Sequence, residues 1–186
     1  MALAIDYVSK FVVYWANVCF KVMSSQKTFK ILFLCTGNTA RSIFGEYLIR
    51  RLGQGRFESY SAGADPKPKV NPYALQVLSK AFKIDPSSAR PKSWDEYRDV
   101  VFDFVITVCD NAKKRIPFWP GQPIIAHWPL PDPAEFQGGD AETYDYFWKV
   151  AQQLYPRIDL FCNLPMEKLE RLRLDWKREW VFIHFP

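Results

Sequence analysis

The sequence predicts an α/β fold: a doubly wound, mainly four-stranded parallel sheet flanked by helices. Two observations predict it. Short apolar runs alternate with longer stretches of helical period, which is the pattern of βαβ units. The strongest run, VFDFVITV at 101–108, is almost entirely β-branched or aromatic, as suits a strand covered on both faces.

The elements follow in order. FKILFL, from Phe29, is the first strand. SIFGEYLIRRL sets Ile43, Tyr47 and Leu48 on one helical face, with Gly53 as its stop. FESYSAG is the second strand, and PYALQVLSKAF a second helix opened by Asn71 as cap and Pro72 at its first position. KSWDEYRDV is a short helix capped by Ser93, and VFDFVITV the third strand. CDNAKKRIPFWPGQP is part helical turn and part loop, leading into IIAHW as the fourth strand. Residues 140–163 form a long amphipathic helix carrying Phe147, Val150, Leu154 and Ile158, which Pro156 is expected to kink or divide. LPMEKLERLRLDWKREW is a last helix, and VFIHFP an apolar tail with no assigned role. In such sheets the ligand sits at the carboxyl ends of the strands, where the strand order reverses.

With 186 residues, 48% of them hydrophobic, the chain suits one compact domain at 29–186, preceded by an extension at 1–28. The net charge of +5 favours anionic substrates and falls short of a basic nucleic-acid stripe. Four scattered cysteines (Cys19, Cys35, Cys109, Cys162) and two histidines show no metal-ligand spacing and no disulfide framework. Unpaired thiols point to a cytoplasmic location. The apolar N-terminal stretch lacks a basic leader, and Lys10, Asn17 and Lys21 break it below the ~20 residues of a spanning helix. It is expected to be an added element or to lie upstream of a true start at Met23, a docked amphipathic helix being the alternative; no membrane partner is expected.

CTGNTARS, 35–42, joins the first strand to the first helix, and its residue types suit one chemistry. A loop entering a helix N-terminus offers backbone N–H groups without intrahelical partners, and the helix dipole adds positive charge there. Gly37 can take angles closed to other residues and Asn38 tolerates the left-handed region, so the loop can curl its amides into an anion-binding nest. Arg41 adds a planar fork of donors for two oxygens of a tetrahedral anion. Cys35, at the floor of this cup, is expected to titrate well below the free thiol's ~8.5 and to act as a nucleophile. Ser42 can donate to it or steady the loop. The competing reading is a small apolar residue at a strand end beside a solvated arginine. No GxxxxGK[ST] or GxGxxG occurs, so the usual nucleotide loops are unsupported.

CTGNTARS resembles the C-x5-R-[ST] loop of the low-molecular-weight protein tyrosine phosphatase superfamily, which includes arsenate reductases of the same fold. YSAG, KSWDEY, TVCDNA, FWPGQP and HWPLPDPAE are similar to its reductase branch, so the likeness covers about 29–163. The resemblance implies Cys35 as nucleophile and Asp132 as general acid. It implies the loop from Thr36 through Gly37, Asn38, Thr39 and Ala40 to Arg41 and Ser42 as the oxyanion cradle. A carboxylic acid over the pocket can protonate a departing oxygen, and Pro131 and Pro133 restrict the loop that carries it. Asp65, in a polar turn, is the weaker candidate.

Both activities of the superfamily begin with Cys35 attacking a tetrahedral oxyanion. A phosphatase then hydrolyses the phosphocysteine, whereas a reductase has a second thiol attack Cys35, releasing arsenite and leaving a disulfide. Cys109, after the third strand, lies at the same sheet edge as Cys35. By resemblance it stands where thioredoxin-coupled reductases hold the second cysteine of a three-cysteine relay. The third would fall near Ile116, and there is none. An external thiol is therefore expected, from glutathione, glutaredoxin, mycothiol or thioredoxin, with a redox protein as possible partner and no metal cofactor. After Asp132 and Pro133 come Ala134 and Glu135, where tyrosine phosphatases of this kind carry aromatics; Tyr60, Trp94 and Trp128 remain pocket candidates, with core packing as the alternative. Cys162 is assigned to the core. The leading expectation is an arsenate reductase-like enzyme, with a phosphatase as alternative and an anion-binding module without turnover as a third reading.

Overall fold

The computed structural model describes residues 27–184, so the expected extension lies almost wholly outside the described residues. Four parallel strands form one sheet: β1 (Phe29–Cys35), β2 (Phe57–Gly63), β3 (Phe104–Thr107) and β4 (Ile124–His127), in the order β2-β1-β3-β4. The helices are α1 (Arg41–Leu52), α2 (Pro72–Gln76), α3 (Asp110–Lys114), α4 (Asp140–Cys162) and α5 (Met166–His184). From β1 the chain first crosses to one side and then returns to the other, so the order reverses between β1 and β3. The crevice at their carboxyl ends is where such sheets bind ligands.

Both faces of the central strands are covered. On one side Gly45 lets α1 sit against Phe33, where a Cβ would stand 2.4 Å from the ring. Phe161 of α4 packs there against Phe57, Phe104 and Trp128. On the other side Tyr60, Tyr97, Phe102 and Trp119 meet edge to face. α1 is buried from Arg41 through Ile49, well beyond the single face its periodicity predicts, because it packs against α4 as well as against β1 and β2.

Several boundaries differ from expectation for local reasons. β3 is only Phe104–Thr107, because the Asp103 carboxylate accepts the Lys30 amide and pairs with Arg173, and Val101 is exposed. Gly53 ends α1 at an ordinary φ of −76°; a side chain there would strike the Ile49 carbonyl at 2.7 Å. The left-handed residues of the turn are Gln54 and Gly55. Asn71 caps α2 as expected, but the helix widens into a π turn at Val77–Ala81. Pro156 neither divides nor ends α4; it lies on the exposed side, where water can take up the carbonyl it leaves free. The apolar tail continues α5 to His184. No described helix is long and apolar enough to cross a membrane.

Candidate active site

Cys35 ends β1, and the chain must turn before α1 can begin. The carbonyls of Cys35, Thr36, Gly37 and Thr39 accept from the amides of Ala64, Asp65, Lys67 and Asn71, at 2.9 to 3.1 Å. That pins the carbonyl edge of the loop to segment 64–71. The amides of Thr36, Gly37, Thr39 and Ala40 have no acceptor among the described residues, and no side chain caps α1. They are left as donors for an anion. At the back, Gly63 is required, since a Cβ would come within 2.6 Å of the Thr36 carbonyl.

Asn38 holds the turn with φ at +50°, the left-handed conformation its side chain can stabilise. That side chain donates to Ser42 Oγ (2.8 Å) and Ser61 Oγ (2.9 Å) and accepts from the Lys92 amide (2.7 Å). With its oxygen taken by Asn38, Ser42 has its own proton to give to Cys35 Sγ at 2.9 Å. The Asn38 amide also reaches that sulfur, at 3.1 Å. Burial nevertheless pushes the Cys35 thiol above its ordinary value, outweighing the lowering by Ser42 and Arg41, while Cys109 adds a further upward push. This reverses the expectation of a depressed thiol. The physical reason is desolvation of a sulfur that is 2% exposed.

Arg41 donates Nη1 to the Leu130 carbonyl at 3.3 Å and pairs Nη2 with Asp132. Asp132 caps the short turn at Pro133–Glu135, accepting from the Ala134 amide at 3.1 Å. Residues separated by 91 positions thus meet over Cys35. They face a cavity of about 420 Å³ that Lys67, Lys69, Val70 and Pro72 also line. No aromatic side chain is among its lining residues. Tyr60 and Trp128 pack in the core, and Trp94 lies in a turn capped by Ser93, with the Arg115 guanidinium over its ring. Asp65 is exposed outside the cavity.

Cys109 lies beyond β3, which pairs with β1 in the register Leu34 to Thr107. Its thiol caps α3, accepting from the Ala112 amide at 3.4 Å, and touches Thr36 Oγ1 at 3.4 Å. One threonine side chain therefore bridges from Cys109 to the loop of Cys35. Cys162 is buried on α4, and burial pushes its thiol up to about 11. Cys35, Cys109 and Cys162 are all free. Among the described residues no His, Cys, Asp or Glu cluster could hold a metal ion.

Two groups escaped the sequence reading. Behind the loop, Glu46 accepts from Lys92 Nζ (2.7 Å) and Ser61 Oγ (2.5 Å), so a buried ion pair supports Asn38 through Ser61 and the Lys92 backbone. The available signal was that Glu46, one helical turn after Ser42, stands among apolar neighbours. Beside Cys109, His127 bonds Thr107 Oγ1 (2.8 Å) and Asp110 (2.9 Å); because a carboxylate only accepts, Nε2 carries the proton.

Residues 30–171 match the family described as low molecular weight phosphotyrosine protein phosphatase, and the chain belongs to that family of enzymes. Within it, the chain belongs to the arsenate reductase-like branch. It is 32% identical over 135 residues to the arsenate reductase of Oceanobacillus iheyensis, covering 72% of this chain and 94% of the relative. Among solved structures it is similar to an arsenate reductase in the phosphate binding state, with TM-score 0.62, 26% identity and coverage of 73% of this chain and 97% of the other. The low molecular weight protein tyrosine phosphatase of T. tengcongensis matches comparably, with TM-score 0.62, 25% identity and coverage of 74% and 100%.

Proposed function

We propose that the protein reduces arsenate to arsenite at the expense of thiols. The observation that carries this reading is the position of Cys109, at the carboxyl end of the strand beside β1 and one threonine side chain from the loop of Cys35. The aromatic-free cavity agrees with a small inorganic oxyanion and offers nothing to sandwich a tyrosine ring.

In this mechanism the loop amides and Arg41 bind the oxyanion, and Cys35 attacks the arsenic. The thiol's proton leaves with the displaced hydroxide as water, and the Asp132 carboxyl at the cavity mouth supplies or relays it. Cys109 then attacks Cys35 Sγ. The new S–S bond forms as the As–S bond breaks, and its electron pair stays on arsenic, which departs as arsenite. Two thiols have been oxidised to a disulfide while arsenic(V) has become arsenic(III). An external thiol restores the pair. Free buried thiols suit a reducing cytoplasm.

The test is arsenite release from arsenate with a thiol reductant, run beside hydrolysis of a chromogenic aryl phosphate. Cys109→Ser should lose arsenite release and retain ester hydrolysis. The phosphatase reading is favoured by the comparable match to a low molecular weight protein tyrosine phosphatase, and it calls on Cys35, Arg41 and Asp132 but not on Cys109. Brisk hydrolysis by a wild type that makes no arsenite would establish it instead.

A further inference from the structure

We propose that the external reductant is a low-molecular-weight thiol bearing carboxylates, drawn into the active-site cavity by Lys67 and Lys69. This rests on the reductase reading above and extends it to the thiol itself.

Two independent observations lead here. The first is that no internal reductant stands among the described residues. Cys162 is buried at the end of α4, and Ile116 lines a separate groove with Phe118 and Ile125. No third described cysteine can attack a disulfide between Cys35 and Cys109. The second is an unspent positive charge on the cavity. Its one lining acid, Asp132, is engaged by Arg41, while neither Lys67 nor Lys69 has an acidic partner among the described residues.

These lysines are set by the fold rather than scattered. The Lys67 amide is fixed to the Gly37 carbonyl at 3.0 Å, and the Lys67 stem crosses Gly37 so closely that a Cβ there would lie 3.2 Å from its Cγ. Both Lys67 and Lys69 line the cavity that the loop of Cys35 also lines. There is also room for a larger ligand: a tetrahedral oxyanion takes the space of a few waters at ~30 Å³ each, and the cavity measures about 420 Å³. Val70, Pro72 and Ala134 supply an apolar wall for the body of such a thiol.

The chemistry balances. The docked thiolate attacks Cys35 Sγ of the enzyme disulfide, and Cys109 departs as a thiolate and takes a proton. A second molecule of the same thiol attacks the small-molecule sulfur of the mixed disulfide and frees Cys35. Two thiols become one disulfide, and the enzyme gains two electrons and two protons. Arsenite, a neutral acid at this pH, leaves the lysines unneutralised for the incoming thiol.

The test compares glutathione (anionic), 2-mercaptoethanol (neutral) and cysteamine (cationic) as reductants for arsenite release, with rates referred to thiolate concentration. The wild type should prefer them in that order, and added salt should erode the preference. The Lys67→Glu/Lys69→Glu variant should lower kcat/KM for glutathione about tenfold relative to 2-mercaptoethanol and raise that for cysteamine, as for two rim charges. Single variants Lys67→Gln and Lys69→Gln, checked for folding by circular dichroism, should give intermediate ratios. A wild type that makes arsenite without ranking thiols by charge, or a reversal that slows all three alike, overturns the inference and leaves the reductase reading standing. Arsenite released with thioredoxin or glutaredoxin but with none of the three small thiols overturns the inference alone, and absence of arsenite with the protein thiols as well overturns both.

Discussion

The loop at 35–42 and the turn at 109–114 both leave the carboxyl end of a central strand, begin with a cysteine and lead into a helix, yet they are held very differently. The first has four carbonyls pinned to segment 64–71, an asparagine with three side-chain partners and a buried ion pair behind it. The second is a five-residue helix whose cysteine thiol makes two hydrogen bonds, both at 3.4 Å. In the proposed mechanism a nucleophile and its anion cradle must be in place before substrate arrives, whereas a resolving thiol must travel to reach the sulfur it attacks, and the difference in restraint suits that division.

The comparison can be broken at several points. Cys35→Ser should abolish both arsenite release and aryl-phosphate hydrolysis, by on the order of 10⁴-fold or more. If hydrolysis survives, the pinned loop is scaffold rather than catalyst. Next in size is the support behind it. Lys92→Met removes the buried one of the two cations on Glu46, leaving only the half-exposed Arg50, and should cost about 1–3 kcal/mol in urea unfolding. Lys92→Met/Glu46→Gln should recover part of that loss, and a single variant of wild-type stability would show the network to be dispensable. Asp132→Asn should slow ester hydrolysis by about 10²-fold and steepen the dependence on leaving-group basicity, as loss of a general acid requires.

The pH dependence sharpens the pinned side further. Since burial raises Cys35, its alkylation should gain rate above the ordinary thiol range. Arg41→Ala should move the midpoint further up, and Asp132→Asn, by removing a nearby negative charge, should move it down. The linked stability has a fixed sign. The folded state holds the proton more tightly than the unfolded chain, so this contribution is intact below the ordinary value of 9.0 and is lost as pH rises through the higher folded one. Midpoints that ignore both substitutions would refute the charge assignment. The smallest expected effect falls on the other region: amides of Asp110–Lys114 should exchange with solvent faster than those of the buried part of α1. Equal protection would erase the contrast between the two cysteines.

Much of the local chemistry was legible in the chain. Asn71-Pro72 and Ser93 announced their caps, FESYSAG its strand, and CTGNTARS a loop with unpaired amides ahead of a helix, because each depends on neighbours a few residues away. The pairing of charges was not legible. Arg41 could be read only as a donor for anions, and nothing nearby in sequence says that Asp132 would hold it. The error over Cys35 has the same root, since a thiol's titration depends on how completely the fold removes it from water.

By itself the sequence determined the α/β alternation, the loop that can bind an oxyanion and the placement of both cysteines at strand ends. Only the tertiary structure decided that β1 and β3 are neighbours, so that Thr36 touches Cys109. It likewise decided that Lys92 and Glu46, 46 positions apart, neutralise each other behind the loop. The physical reason is range: caps, turns and hydrophobic period are set by interactions along the chain, whereas ion pairs, desolvation and strand order depend on what packing brings together from its distant parts.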